Sequence, residues 1–374
     1  MGVPAVAAVL GAGNGGQGMA AYLARRGWVV RLWNRPDDGE VRAWLAPIRA
    51  ARSLELVGWQ PGRVPVELAT TELVEAVAGA SLVVLVTTAD AHRAMARSLA
   101  PLLQPGQLVL LVPGRTGGAL DFRAGLAEAG RDIREIVVAE TNTTVVNSRV
   151  VGPGRVEVLG EKRGLPLAAL PAGDTGRALE RLTGLPFVAA PSVLSTGLTN
   201  FGVPLHAIPM VLNAGWLEDR PGAFLYYQQG ISPSVARVVE QADAERLALA
   251  GALGVETTPL CRYLVESLGA PDGDLYASIH GCEMYRTVPA PPALDHRYLW
   301  EDMVAGVVPM VSLGRAIGCP LPVLEAVLTL AGVLLGRDLV AQGRSAERLG
   351  LAGLDAAGIR RRVAQYWEEA RPCG

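Results

Sequence analysis

Four stretches of the 374-residue chain combine residue types that can do chemistry. Gly11-Ala12-Gly13-Asn14-Gly15-Gly16 stands between an apolar run and a helical pattern. In that setting a G-x-G-x-x-G turn holds a pyrophosphate. Gly11 would permit the tight turn, Gly13 the approach of the phosphates, and Gly16 the close packing of helix on strand. Asn14 and Gly15 would open a helix whose free N–H groups and partial positive charge favour anions. Asn34 and Arg35 follow the next apolar run, Val29–Trp33. An NAD site commonly places an acid there for the ribose. An arginine instead suits a 2′-phosphate, through a charge-assisted bond of roughly 1.5–3 kcal/mol. The reading therefore favours NADP, with NAD second, and Asp37-Asp38 are the residues that would serve a ribose if the loop folded back.

The other two stretches lie in the second half. His206 sits in Gly202-Val203-Pro204-Leu205-His206-Ala207-Ile208-Pro209. Pro204 suits a first helical turn, whereas Pro209 lacks an N–H and crowds the carbonyl four residues back. A kink beside a histidine is costly, and such costs cluster at sites. The plainer alternative is a core histidine beside a bent helix. Asp295-His296-Arg297-Tyr298-Leu299-Trp300-Glu301-Asp302 gathers three acids, an arginine and a histidine just before an apolar helix, where acids could also simply complement the helix N-terminus.

Several weaker candidates accompany these. Lys162 is the only lysine among 34 basic residues, in a Gly160–Gly164 turn. Arg115 with Gly117-Gly118 could touch phosphate, or could be an ordinary strand-to-helix loop. Cys261, Cys282, Cys319 and Cys373 are far apart, and neither they nor His280 show metal-ligand spacing, so no metal site is expected.

The elements that must position these residues follow from periodicity. Val6–Leu10, Val29–Trp33, Leu82–Val86, Leu108–Val112 and Ile136–Ala139 read as strands buried on both faces, with Val156–Leu159 and Phe187–Ala189 as extensions of the sheet. Helical patterns over Gln17–Arg26, Thr71–Ala78, Ala91–Leu99 and Asp121–Ala129 alternate with them, which predicts a parallel α/β sheet of Rossmann type. After Pro191 only helices are predicted: Leu205–Leu217, Val235–Ala252, Leu260–Leu268, Leu299–Ile317, Val323–Leu335 and Ile359–Glu369. The expected plan is a nucleotide-binding α/β domain over residues 1–190 and an all-α domain over residues 191–374. Half the residues are hydrophobic and 19% charged, enough for a large core. A net charge of −2 gives no basic face for nucleic acid or anionic membrane. No signal-peptide pattern and no membrane-length apolar run is visible, so a cytoplasmic protein is expected; the apolar helices near the C-terminus would allow a homodimer.

In order along nearly the whole chain, these segments resemble the octopine/nopaline, or opine, dehydrogenases. The matching residues are Gly11–Gly16, Pro113–Leu120, Glu140–Thr143, Gly160–Lys162 with Ala168–Pro171, Asn200–Asn213, Phe224–Ser232 with Asp243 and Glu245-Arg246, and Arg297–Asp302. The resemblance implies a Rossmann domain joined to a helical substrate domain. It also implies reductive condensation of an amino acid with a 2-keto acid such as pyruvate, through an imine, to an N-(1-carboxyalkyl) amino acid. Carried over by position, His206 is the acid/base, Asp302 its orienting carboxylate and Arg297 the anchor of the keto-acid carboxylate. Glu140 and Thr141 line the amino-acid side, Asn200 and Gly202 shape the amino-acid pocket, and Lys162 stands near substrate or cofactor. His92 also falls where the family tends to have histidine, but Thr87-Thr88-Ala89-Asp90 before it depart from the family's apolar-proline pattern.

The residue types suit this chemistry, since imidazole titrates near neutrality and a guanidinium fork matches a carboxylate. Ketopantoate- and glycerol-phosphate-type reductases share the front domain but use a lysine on the helical domain, and no lysine follows Lys162. A related reductase acting on another keto substrate, and a cofactor-binding sensor without turnover, are the remaining alternatives.

Overall fold

The apolar runs of the first half assemble as buried strands. The computed structural model describes residues 5–36 and 39–365, without the side chains of residues 39–42. Asp37, Asp38, Cys373 and the last residues of the expected Ile359–Glu369 helix lie outside the described residues. The chain divides into two units, the first comprising residues up to Gly114, Gly118–Thr196 and the end from Arg362, the second Arg115–Gly117 and Gly197–Arg361. The expected boundary at 190/191 thus moves to Thr196, and three residues of an early loop join the helical unit.

The first unit is built on an eight-stranded sheet in the order Phe187–Ala189, Leu165–Leu170, Val137–Thr141, Leu108–Leu111, Leu82–Leu85, Val6–Leu10, Val29–Trp33 and Leu68–Thr70. Every pairing is parallel except that of Leu165–Leu170 with Val137–Thr141. Leu82–Leu85 and Leu108–Leu111 are buried at every position, as a strand covered on both faces requires. Val6–Leu10 pairs with Val29–Trp33 on one side and Leu82–Leu85 on the other. The chain order therefore reverses there, and at such a switch point ligands bind beyond the carboxyl ends of the strands. The glycine-rich turn follows this strand directly.

Val156–Leu159 does not extend that sheet. It lies within Arg155–Glu161, which belongs to a separate four-stranded sheet with Gly62–Pro65, Ser53–Gly58 and Val146–Gly152. Val156 and Val158 are buried while Leu159 is 69% exposed, so this strand has one apolar face and could not sit inside a doubly covered sheet. The small sheet leans on the Asn14–Arg25 helix. Ser148 Oγ donates to the Asn14 carbonyl at 2.8 Å, and a side chain at Gly18 would overlap Ser148.

The second unit is helical, and buried carboxylates organise its frame. Glu245 accepts from the N–H groups of Val323 and Leu324 at 2.8 and 3.0 Å and so caps the Pro322–Leu335 helix. Arg246, fully buried, pairs with Asp243 and donates to the carbonyls of Leu198 and Thr258. The helical patterns over Leu205–Leu217 and Leu299–Ile317 are each interrupted by a π turn, Val203–Ala207 and Met303–Val307, the first beside the expected kink at Pro209. Each turn is followed by a β-branched residue and the same triplet, Pro209-Met210-Val211 and Pro309-Met310-Val311. A proline cannot bond to the carbonyl four residues back, and widening the turn accommodates it. The carbonyls released near these turns find other donors: Thr116 N–H for Ala305, Arg344 N–H for Val304, and the Tyr226 hydroxyl for His206.

Among the described residues no helix is long and apolar enough to cross a membrane, and Cys261, Cys282 and Cys319 are free thiols.

The glycines of the first turn differ in what they tolerate. A Cβ at Gly16 would overlap the Gly11 carbonyl oxygen, whereas one at Gly13 meets nothing within 4 Å. Gly16→Ala is expected to destabilise the fold by about 2 kcal/mol or more, and Gly13→Ala to leave thermal melting unchanged. Equal melting temperatures for both variants would contradict this packing.

Candidate functional site

In the first unit the residues expected to meet a dinucleotide gather at the end of the Val6–Leu10 strand. Gly11 has φ +114, and a Cβ there would lie 2.6 Å from the Val86 carbonyl oxygen, so only glycine fits the turn. The Asn14–Arg25 helix starts with Gly13 as its N-cap, with no capping side chain and no acid in its first turn. Its first N–H groups and the open space at Gly13 fit a pyrophosphate. A Cβ at Gly15 would lie 3.0 Å from a Val86 methyl.

Asn34 is buried, and its Oδ1 accepts from the Ala12 N–H at 3.1 Å, bracing the turn from the neighbouring strand. Arg35 is exposed next to it. The Asn14 side chain is turned aside: its Oδ1 accepts from Val150 N–H at 2.8 Å, so this residue fastens the small sheet to the helix. The residues present thus fit the pyrophosphate of a dinucleotide.

In the second unit the two π-turn segments bring His206 and Asp302 together. His206 lies within the first turn, and Asp302 ends the Arg297–Asp302 helix just before the second. His206 Nδ1 lies 2.9 Å from Asp302 Oδ2. Asp302 is 1% exposed and the His206 side chain 21%. Burial pushes the Asp302 carboxyl up, but it is outweighed by the Arg115 charge, then by the hydrogen bond and charge of His206 and the charge of Arg297. The net effect holds the carboxyl below the usual carboxylate value. An ionised Asp302 can only accept, so Nδ1 carries the hydrogen and Nε2 is left to take or give a proton.

Two tyrosines that the sequence reading left out hold the ring. Tyr298 stacks on it with centroids 4.0 Å apart and planes within 3°, and the Tyr226 hydroxyl donates to the His206 carbonyl at 2.7 Å. Tyr298 sits four residues before Asp302 on one helix, hence on the same face, and that spacing is the signal by which it could have been found. His296 caps that helix, with its Nδ1 accepting from Tyr298 N–H at 3.2 Å. Burial, then the charges of Arg297 and His206, push His296 down, which suits this accepting role.

Arg297 is half exposed. Glu301 Oε2 receives its Nε and Nη2 at 2.9 and 2.8 Å, so the fork is oriented and Nη1 lies outside that pair.

Several expected ligands are bonded within their own unit. Arg115 lies in the helical unit, where Nη1 forms an ion pair with Asp302 Oδ1 at 3.2 Å. It adopts φ +62, a left-handed conformation that costs a non-glycine residue about 1–2 kcal/mol. Asn200 is 1% exposed and its amide is spent: Oδ1 accepts from Arg115 Nη1 and Gly202 N–H, both at 3.2 Å, and Nδ2 donates to Thr116 Oγ at 3.3 Å. Gly202 is a close-approach residue, since a Cβ there would overlap Asp302 Oδ1 and lie 2.7 Å from Arg115 Nη1.

Glu140 and Thr141 are fully buried in the first unit. Glu140 accepts from Ala119 N–H and from the Thr196 hydroxyl, each at 2.7 Å, and Thr141 donates to the Thr143 carbonyl at 2.8 Å. These bonds brace the first unit. Lys162 Nζ donates to the hydroxyls of Thr143 and Thr144 at 2.9 and 3.4 Å, tying down the segment between two strands. His92 is also fully buried. Among the described residues no cluster of histidine, cysteine and acidic groups could hold a metal.

Comparison with known proteins agrees with this architecture. Residues 189–335 match the family model described as NAD/NADP octopine/nopaline dehydrogenase, alpha-helical domain. Residues 6–146 match the N-terminus of NAD-dependent glycerol-3-phosphate dehydrogenase. The chain is 39% identical over 358 residues to an opine dehydrogenase of Arthrobacter sp. strain 1C, covering 95% of this chain and 98% of that one. An octopine dehydrogenase solved with NADH and L-arginine superposes with a TM-score of 0.78 at 22% identity, over 99% of this chain and 100% of the other. A yersinopine dehydrogenase with NADP+ bound gives 0.72 at 18% identity, over 96% and 98%. The protein belongs to the opine dehydrogenase family and is an NAD(P)-dependent oxidoreductase. The family reaction is the reductive joining of an amino acid to a keto acid.

The burial of Glu140 separates a brace from a ligand. In Glu140→Gln the amide cannot accept at both positions, and stability should fall by about 1–3 kcal/mol while KM for either substrate stays unchanged. A raised KM with no loss of stability would restore Glu140 to the substrate site.

Proposed function

We propose that this protein uses NADPH to condense an amino acid with a 2-keto acid such as pyruvate, giving an N-(1-carboxyalkyl) amino acid. The observation that carries the reading is the 2.9 Å contact of His206 Nδ1 with the buried Asp302 carboxylate, which leaves Nε2 to exchange a proton with substrate. A bound nicotinamide supplies the hydride. The chain's own residues supply the proton and the grip on the substrate.

Protonated His206 donates from Nε2 to the carbonyl or imine, and Asp302 stabilises the imidazolium while that charge exists. In the oxidative direction neutral Nε2 receives the proton back. Arg297, its plane fixed by Glu301, offers its remaining edge to the keto-acid carboxylate. Tyr298 covers one face of the ring and fixes its plane.

For the cofactor, Gly11, Gly13, Gly15 and Gly16 with the free helix N-terminus would hold the pyrophosphate. The exposed guanidinium of Arg35 supports NADP, and no acid occupies Asn34 or Arg35 to repel a 2′-phosphate. The relatives include a structure with NADH and one with NADP+, so Arg35 carries the preference for this chain.

The test is oxidation of NADPH and of NADH with pyruvate and a panel of amino acids. Turnover with NADPH preferred is expected, and tight cofactor binding without any oxidation would favour a sensor. In His206→Ala turnover should fall by roughly 10²–10⁴-fold with cofactor affinity kept. Wild-type turnover in that variant would remove His206 from the mechanism.

A further inference from the structure

The dyad leaves one buried charge unexplained. Asp302 has two oxygens, and His206 uses only Oδ2. The other faces Arg115 Nη1 at 3.2 Å, inside a region where Asp302 is 1% exposed and the Arg115 side chain 13%. With so little water present, the guanidinium acts on the carboxylate almost unscreened.

The surroundings are built to keep it there. Thr116 fixes the segment through three groups: its N–H donates to the Ala305 carbonyl at 3.0 Å and its hydroxyl to the Gly197 carbonyl at 2.7 Å, while its own carbonyl accepts from Arg344 at 3.1 Å. The Ala305 carbonyl is available because Pro309 has no N–H to give it. Arg115 is held left-handed, Asn200 receives its Nη1, and Gly202 has no side chain to separate Arg115 from Asp302. A backbone strained to aim one side chain at a carboxylate is better explained by that aim than by loop packing.

We propose that Arg115 is a positioning residue for proton transfer: it holds the second oxygen of Asp302, keeps the carboxylate charged, and offsets part of its field at His206. Without the guanidinium, an uncompensated carboxylate would bind the imidazolium more firmly, and His206 would give up its proton only at higher pH. Arg115 thereby keeps the ring able both to give and to take the proton. The inference rests on the proton-transfer role proposed for the dyad.

The other groups around the ring do not supply this offset in the same way. Tyr226, Tyr227 and Tyr285 are buried phenols pushed well above their usual range by burial, and they stay neutral. Tyr298 covers the ring, and His296 is pushed down. Arg297 shares its charge with Glu301. From the Pro233–Ala252 helix, Asp243 and Arg246 neutralise each other and Glu245 is taken by two backbone N–H groups. The Ile208–Leu212 helix and the Met303–Val307 turn carry no titratable side chain.

The test is the ring titration of His206 by NMR on histidine-labelled protein, with its resonance identified by loss in His206→Gln, in wild type, Arg115→Gln and Arg115→Lys. NADPH binding serves as the control for folding. The midpoint should rise by about one pH unit in Arg115→Gln and stay near wild type in Arg115→Lys. The pH limb of kcat should move upward in parallel. Arg115→Met carries the same expectation if the glutamine variant does not fold. An unmoved midpoint in the neutral variants overturns the proposal, as does a raised KM for the keto acid with an unchanged pH profile, which would make Arg115 a substrate ligand. Because the titration needs no turnover, a wild-type protein that fails to oxidise NADPH would sink the proposed reaction without deciding this point.

Discussion

The carboxylate of Asp302 is the constraint around which the helical unit is arranged. A buried anion costs several kcal/mol unless it is paired and hydrogen-bonded. This one has a histidine on one oxygen and an arginine facing the other. To bring those partners in, the chain must place a glycine at 202, bend two helices through π turns, and deliver a left-handed arginine from a loop far away in sequence. Each would destabilise the fold by itself. Together they make a carboxylate that stays ionised and an imidazole whose tautomer is fixed.

The two prolines turn a local cost to use. Pro209 and Pro309 remove the donors that would close a regular helix, and the wider turns expose carbonyls on the sides facing Tyr226, Thr116 and Arg344. Helical backbone normally has no bonds to spare for tertiary contacts. Here the released carbonyls hold the parts of the site: Tyr226 fixes the backbone of His206, and Thr116 fixes the loop of Arg115. The shared Pro-Met-Val after each turn shows the same solution used on both sides of the dyad.

Much of this was legible before any coordinates. The glycine-rich turn and the doubly buried strands carry strong local signals, since glycine spacing and unbroken apolar runs have few other meanings. His206 and Asp302 could be singled out by residue type, by the neighbouring proline and by resemblance. The small sheet was not legible, because strands such as Ser53–Gly58 and Val146–Gly152 are half exposed and mix charged with apolar residues. The partners of a buried group were harder still. Glu140, Asn200 and Lys162 look like ligands in sequence, and the bonds they make to other chain segments are three-dimensional facts that local composition does not carry. The pairing of Arg115 with Asp302 was hidden for the converse reason. A loop arginine beside glycines suggests phosphate, and its left-handed backbone and distant carboxylate leave no mark on local composition.

The central claim is that a negative charge at residue 302 makes His206 an acid/base catalyst. Its most direct test is the single-turnover rate of NADPH oxidation at pH 7, with pyruvate and an accepted amino acid, in Asp302→Asn. The substitution keeps shape and removes charge. The account predicts a rate lower by about 10³–10⁴-fold with NADPH affinity preserved. A rate within about threefold of wild type, well under 1 kcal/mol in barrier, would contradict it.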